Sequence, residues 1–192
     1  MTSTTPDRVR WTEAHPLGRR WPTLAAIGLA ALTAFGLSGG GDLAKVLAAS
    51  GLVYLGAAAL RKPATAWLVF FGTVVVIVVA DILPGDFDAT WIILGLAVVF
   101  LGYGLLRGAA RPADGLPRQA LAMVAFGAAA AITLLVSGDA GAYLVAAGLL
   151  GHAAWDVYHY RVNRVVVRSM AEFCFVLDTL LAVAMVIVAV RG

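Results

Sequence analysis

The chain predicts an all-α, polytopic membrane protein with seven transmembrane helices, and three observations predict it. Seven apolar runs fill residues 22–190, each near the roughly 20 residues that a bilayer-crossing helix needs. Only 13% of the 192 residues are charged and the mean hydropathy is +0.91, far from the roughly 25% charged content of soluble domains. The charges sit in the gaps between runs, and their sign alternates from gap to gap.

Residues 1–21 form a polar cytoplasmic segment in which Arg8, Arg10, Arg19 and Arg20 are interleaved with Trp11 and Trp21. That mixture suits the headgroup level of a membrane. No small-residue cleavage site follows, so the first apolar run is read as an uncleaved span rather than a signal peptide. The transmembrane domain, residues 22–190, then divides into Pro22–Leu37, Leu43–Leu60, Ala64–Leu83, Ala89–Leu106, Gln119–Val136, Ala140–Tyr158 and Val165–Val190. Glycine, aspartate, proline or arginine clusters end each one: Ser38 to Asp42, Arg61-Lys62-Pro63, Pro84-Gly85-Asp86, the loop Arg107–Arg118, and Ser137-Gly138-Asp139. The runs are continuously apolar. The alternating segments of about ten residues that mark a membrane β-barrel are not seen, and helices satisfy their own backbone in lipid.

Basic residues lie before the first span and after the second, fourth and sixth: Arg61/Lys62, Arg107/Arg111/Arg118 and Arg161/Arg164/Arg168. The opposite gaps carry Asp42, Asp81, Asp86, Asp88 and Asp139, with Lys45 as their one cation. The positive-inside rule places the N-terminus in the cytoplasm and the C-terminus outside, which demands an odd number of spans. The net charge of +3 is therefore membrane topology, not a nucleic-acid surface. The expected location is a bacterial inner (plasma) membrane. The single cysteine excludes an intramolecular disulfide.

Ala31–Leu60 is similar to Ala131–Trp155: each has a threonine in an apolar run, then Ser-Gly, an aspartate-containing turn and an Ala/Gly-rich return. Ala80–Leu105 is a weaker third copy. Three parallel hairpins and a closing seventh helix follow from that repeat. Gly36-x-x-x-Gly40 and Gly104-x-x-x-Gly108 let helices approach closely, and tight packing within one bundle is favoured over a dimerisation face, with a homo-oligomer left open.

The residues that could carry chemistry gather in Gly151–Asp178. His152, Trp155, Asp156 and His159 share one face of the sixth span at about 100° per residue, with His159 at the interface. Cys174 and Asp178 are four apart on the seventh span, whereas Glu172 lies about 120° from Asp178. Asp178 is close to mid-bilayer, where an aspartate costs on the order of 2.5–3.5 kcal/mol. Antiparallel packing of these two spans brings His152 towards Asp178 with a modest stagger.

Tyr54 and Tyr103 occupy the inner halves of their spans and are candidates for the same cavity; Asp81 reads as a helix-end residue, and His15 needs no role. The catalytic candidates are His152, Asp156 and Asp178, with Trp155, His159, Cys174, Tyr54 and Tyr103 as ligand-binding candidates. A metal, if any, would take His152 and Asp156 with Asp178 or Cys174, since His152 and His159 are about 10.5 Å apart along the axis. No nucleotide loop, serine triad or Cys-x-x-Cys is present.

The pattern His152…Trp155-Asp156…His159 followed by Cys174…Asp178 and Ala182 resembles one in small bacterial multi-pass membrane proteins; it covers the last two spans and implies no activity. The span count and orientation are also similar to the adiponectin-receptor and haemolysin-III group. Their zinc site needs a His-x-x-x-His closing helix, and here the seventh span has no histidine and the second only Ser50, so that function is not carried over. Small seven-span terpene cyclases are similar in size, without a motif in common.

Three functions remain. A proton, cation or small amphiphile binds between the last two spans in transport; or an intramembrane enzyme, a hydrolase or cyclase, works on a lipid or isoprenoid by acid–base chemistry; or the chain is a structural or assembly subunit whose polar groups simply pair, Asp156 with His159, Asp178 with His152 and Glu172 with Arg168. Transport predicts a water path reaching Asp178 from both faces, an enzyme an apolar cavity opening sideways to lipid with the acid at its end, and a scaffold no cavity and all these polar groups paired.

Overall fold

The computed structural model describes residues 20–84, 87–111, 115–136 and 138–191. Most of the N-terminal segment, with Arg8, Arg10, Trp11, His15 and Arg19, lies outside the described residues, as do Gly85-Asp86, Pro112–Asp114 and Ser137. All regular structure among the described residues is helical: α1 Trp21–Ala34, α2 Gly41–Ala59, α3 Thr65–Ile82, α4 Ala89–Leu106, α5 Leu116–Leu135, α6 Asp139–Val162 and α7 Arg168–Arg191.

Five of these, α2, α3, α4, α5 and α7, are long and apolar enough to cross a membrane. The other two depart from the expected spans in different ways. The first is shorter than the run Pro22–Leu37, since its helix stops at Ala34. The sixth is longer than expected, running on to Asn163, which caps it in the left-handed conformation with φ 51°. Asparagine tolerates that conformation better than most residues.

The interior is an apolar core with a minority of polar side chains, and the exterior is apolar too, unlike that of a soluble domain. Leu68, Phe71, Val75, Val79 and Ile82 of α3, and Val98, Val99, Leu105 and Leu106 of α4, face outwards. Ser50, Thr73, Thr90, Gln119, Thr133, His152, Asp156, His159 and Asp178 are buried. An exterior of that kind is stable only against lipid, so this is a membrane protein.

At the centre stands α2, buried along most of its 19 residues, with α3, α4, α5 and α6 packed around it. Its alanines and glycines explain the position, because small side chains let several neighbours approach at once. The helix α7 packs along α6 and carries α1 on its other side.

The charge pattern of the sequence reappears in space. Arg61 and Lys62 of the α2–α3 turn share a cavity with Arg164 of the α6–α7 link. Arg20 and Arg161 line another. At the other end Asp81 closes an ion pair with Lys45 at 2.6 Å, a role beyond the helix-end one expected of it. There too Asp42 Oδ2 accepts from the Ser38 N–H at 2.7 Å, the Ser38 hydroxyl at 2.9 Å and the Gly39 N–H at 3.0 Å. That set of bonds fixes the Ser-Gly-Gly-Gly-Asp turn.

One glycine of each pair packs against another helix of the same chain. A Cβ on Gly40 would sit 2.5 Å from the backbone of Gly141 and Ala142, and one on Gly104 would sit 3.1 Å from Ala59, whereas Gly36 has open space. Gly40→Ala should therefore lower stability by about 1–3 kcal/mol, the usual cost of overpacking, because backbone must move to admit the methyl group. Gly36→Ala should change little. Thermal unfolding of both variants in detergent checks the contrast.

Candidate functional site

The α6 register predicted from sequence places His152 and Asp156 one turn apart on the face turned to α7 and α2, and both are fully buried. On α7, Asp178 meets them, also fully buried. His152 Nδ1 lies 2.8 Å from Asp178 Oδ2 and 3.3 Å from Asp156 Oδ2. Two residues of α2, four apart and hence on one face, complete the group. Ser50 donates its hydroxyl to Asp178 Oδ1 at 3.3 Å, and Tyr54 donates to Asp156 Oδ1 at 2.5 Å. The result is a row, Ser50–Asp178–His152–Asp156–Tyr54, in the middle of the bundle, hydrogen-bonded at every link but His152–Asp156, where the two groups only face each other.

The row is under-supplied with positive charge and with donors. Nδ1 carries at most one proton and gives it to the nearer carboxylate. Asp156 Oδ2 is left buried without a hydrogen bond, as is His152 Nε2. The imidazole is held edge-to-face by Tyr54 and Phe126, with ring centroids 5.2 and 5.0 Å away, so it cannot easily turn to serve both acids. Two carboxylates facing one imidazole, with no lysine or arginine in contact among the described residues, is an arrangement that burial makes costly.

Below this row lies a second, closed network. The Trp155 indole N–H donates to Gln119 Oε1 at 3.1 Å, and the Gln119 amide donates to His159 Nε2 at 3.0 Å. His159 Nδ1 in turn donates to the Trp155 carbonyl at 3.0 Å. Every polar atom named there has a partner when His159 is neutral with its proton on Nδ1. Its ring lies 4.8 Å from that of Tyr54, so this network positions the tyrosine that bonds Asp156.

Several expectations are corrected by these contacts. His159, in the last turn of α6 and buried against its neighbours, bonds Gln119 instead of Asp156. Glu172 turns to α1, accepting from the Thr23 hydroxyl at 2.5 Å with Arg20 3.8 Å away; Arg168, its expected partner, donates to the Tyr160 carbonyl. Tyr103 lies away from the site, half-exposed beneath Arg107. Cys174 is buried with its thiol 3.6 Å from Met170 Sδ, so Asp178, not Cys174, joins His152 and Asp156. Sequence reasoning missed Gln119, taken only as the first residue of a span, and gave Ser50 no place in the cluster. The polar Ser50-x-x-x-Tyr54 spacing inside an apolar helix was the signal that could have found Ser50.

Two cavities approach the row from opposite ends. One, of about 240 Å³, is lined by Asp42, Lys45 and Asp81 at the acidic end and reaches Ser50 and Cys174. The other, of about 330 Å³, is lined by Arg20, Arg161 and Glu172 at the basic end and reaches Asp156. Between them, His152, Asp156 and Asp178 are sealed from solvent.

Tyr54→Phe removes the donor to Asp156 while keeping the ring. The buried Asp156 Oδ1 then lacks its donor, which should lower stability by about 1–3 kcal/mol, read by thermal unfolding in detergent. No protein-family model, curated protein or solved structure matches this chain.

Proposed function

We propose that the protein is a seven-span protein of a bacterial inner membrane, N-terminus in the cytoplasm, that binds a cation at His152, Asp156 and Asp178 and passes it across the bilayer. One observation carries this reading. The two carboxylates with their single imidazole stand where two cavities from opposite ends of the bundle stop. A buried charge cluster with access from either side, closed in between, is the arrangement that alternating access requires.

The seven-span topology is supported by the gathering of basic side chains at one end. With 24 residues, α6 rises about 36 Å and is long enough to cross; its polar residues turn inwards and lower its apolar character. The 14 residues of α1 rise only about 21 Å, so this helix crosses with its non-helical flanks, packed along α7.

The intramembrane-enzyme alternative draws support from the largely apolar walls of the acidic-end cavity, formed by Leu29 of α1, Val46 of α2, Phe70 and Val74 of α3 and Leu181 of α7. These walls would suit an amphiphile whose polar end reaches Ser50. The scaffold alternative predicts paired polar groups and no cavities, and the unpartnered Asp156 oxygen speaks against it.

Reconstituted liposomes separate these readings. A cation carrier collapses an imposed gradient of protons, monovalent or divalent cations faster than protein-free liposomes do. If none of these gradients dissipates faster with the protein than without it, the transport reading fails.

A further inference from the structure

We infer that the His152–Asp156–Asp178 centre takes a first-row transition-metal dication, of the Mn²⁺, Fe²⁺, Co²⁺ and Zn²⁺ class, as the cation it carries. This rests on the transport reading and names its substrate class. The first argument is charge. Two carboxylates and a neutral imidazole sum to −2, and a dication brings the centre to zero, the state least penalised in a low-dielectric interior. A monovalent ion leaves a buried negative charge. A proton on Nδ1 supplies at most one positive charge and leaves Asp156 Oδ2 without a donor, as it is in the structure.

The second argument is geometry. The three residues each present one ligand atom, all within 4.8 Å of one another. Bonds of about 2.0–2.2 Å at tetrahedral or octahedral angles put ligand atoms about 3.0–3.5 Å apart. His152 Nδ1 and Asp156 Oδ2 are separated by 3.3 Å, Nδ1 and Asp178 Oδ2, at 2.8 Å, need open only by a few tenths of an ångström, and the two carboxylate ligand atoms, within 4.8 Å of each other, draw together on binding. Asp156 Oδ2 is the second, independent pointer: it is fully buried, lacks a hydrogen bond and faces the other two ligand atoms.

The donor chemistry narrows the metal. One imidazole nitrogen with carboxylate oxygens suits the borderline dications. Magnesium and calcium take all-oxygen sites, and copper(I) prefers sulfur, which Cys174 directs to Met170. For Nδ1 to offer its lone pair, the neutral ring carries its one proton on Nε2; a proton on Nδ1 beforehand moves to Nε2 or, from an imidazolium, leaves to water as the metal enters. The Ser50 and Tyr54 hydroxyls keep their bonds to the outer carboxylate oxygens and hold both acids in place.

The test uses the full-length protein in detergent, stripped with a chelator and titrated with Co²⁺ alone. Its visible absorption reports an imidazole and carboxylate ligand field. One Co²⁺ should bind per chain, displaced by Zn²⁺ but not by millimolar Mg²⁺. Asp178→Asn and His152→Gln should each weaken binding on the order of 100-fold and change the spectrum. Retained burial of the single thiol, Cys174, certifies that each variant is folded. Absence of Co²⁺, Zn²⁺ and Mn²⁺ binding by folded protein overturns the inference, and so does binding that neither variant alters. Proton or monovalent flux without dication binding sinks this inference and leaves the transport reading standing; dication binding without any flux sinks the transport reading and keeps only the dication site, not its role as cargo.

Discussion

Asp178→Asn is expected to reduce cation passage in liposomes to the protein-free level while the bundle stays folded. Asparagine keeps the shape of aspartate and its Oδ1 still accepts from Ser50, so packing around α7 is preserved. What goes is one of the two negative charges that, on the proposed transport reading, would offset a cation in the middle of the bundle. Interactions between charges are much stronger there than in water, and the surrounding helices offer the cation no other carboxylate among the described residues that contact the centre. Asp156→Asn should behave alike. Flux measured against an imposed gradient, with the amount of protein in the liposomes checked, decides the matter. A folded Asp178→Asn protein that still carries cations at the wild-type rate would remove Asp178 from the path.

The second large effect is on stability. His152→Leu leaves two buried carboxylates with no positive partner, and breaking a buried charge cluster from one side typically costs about 3–5 kcal/mol. Adding Asp156→Asn and Asp178→Asn to the same chain should recover most of that loss, because a neutral, well-packed centre is often as stable as the ionic one or more so. The three substitutions are expected to be strongly non-additive, as residues in one network are. The lone buried thiol of Cys174 provides the measurement: a thiol-reactive dye labels it only as the bundle opens, so its labelling curve with temperature reports unfolding. Equal destabilisation of the single and triple variants would mean that His152 contributes packing and not charge compensation. A triple variant nearly as stable as the wild type but inactive is the expected outcome, and it would show that the centre is kept for function and not for stability.

Much of this centre was legible in the sequence, for a definite reason. Helix periodicity fixes the angles between residues on one helix, so His152, Asp156 and His159 were placed on one face of α6, and Cys174 with Asp178 on one face of α7. The short α6–α7 link makes these helices antiparallel neighbours, and rise per residue then brings His152 near Asp178; the structure holds them 2.8 Å apart. The cost of an aspartate in mid-membrane implied that something must meet it. The boundaries were harder to read. Hydropathy does not record where a helix frays, so α1 proved shorter and α6 longer than their apolar runs suggested.

Periodicity carries no information about which other helix faces a given stripe. The expectation that Asp156 bonds His159 came from sharing a helix face, yet residues three apart on α6 are drawn to different neighbours: Asp156 to Tyr54 of α2, and His159 to Gln119 of α5. Glu172 likewise turned from its own helix to Thr23 on α1. Tyr54 and Tyr103 looked equivalent by depth, but α2 is the central helix and α4 a peripheral one, so one tyrosine is buried at the row and the other lies beneath an arginine at the surface.

The sequence by itself determined the membrane-protein class, the helical runs and the residues that lipid makes costly to keep, because composition, charge sign and helix geometry are local properties. The tertiary structure decided which helix is central, that Ser50 and Tyr54 complete the row, and that Asp156 is left short of a donor. Those outcomes depend on how seven helices share a limited interior, where each polar group takes the nearest partner that packing allows.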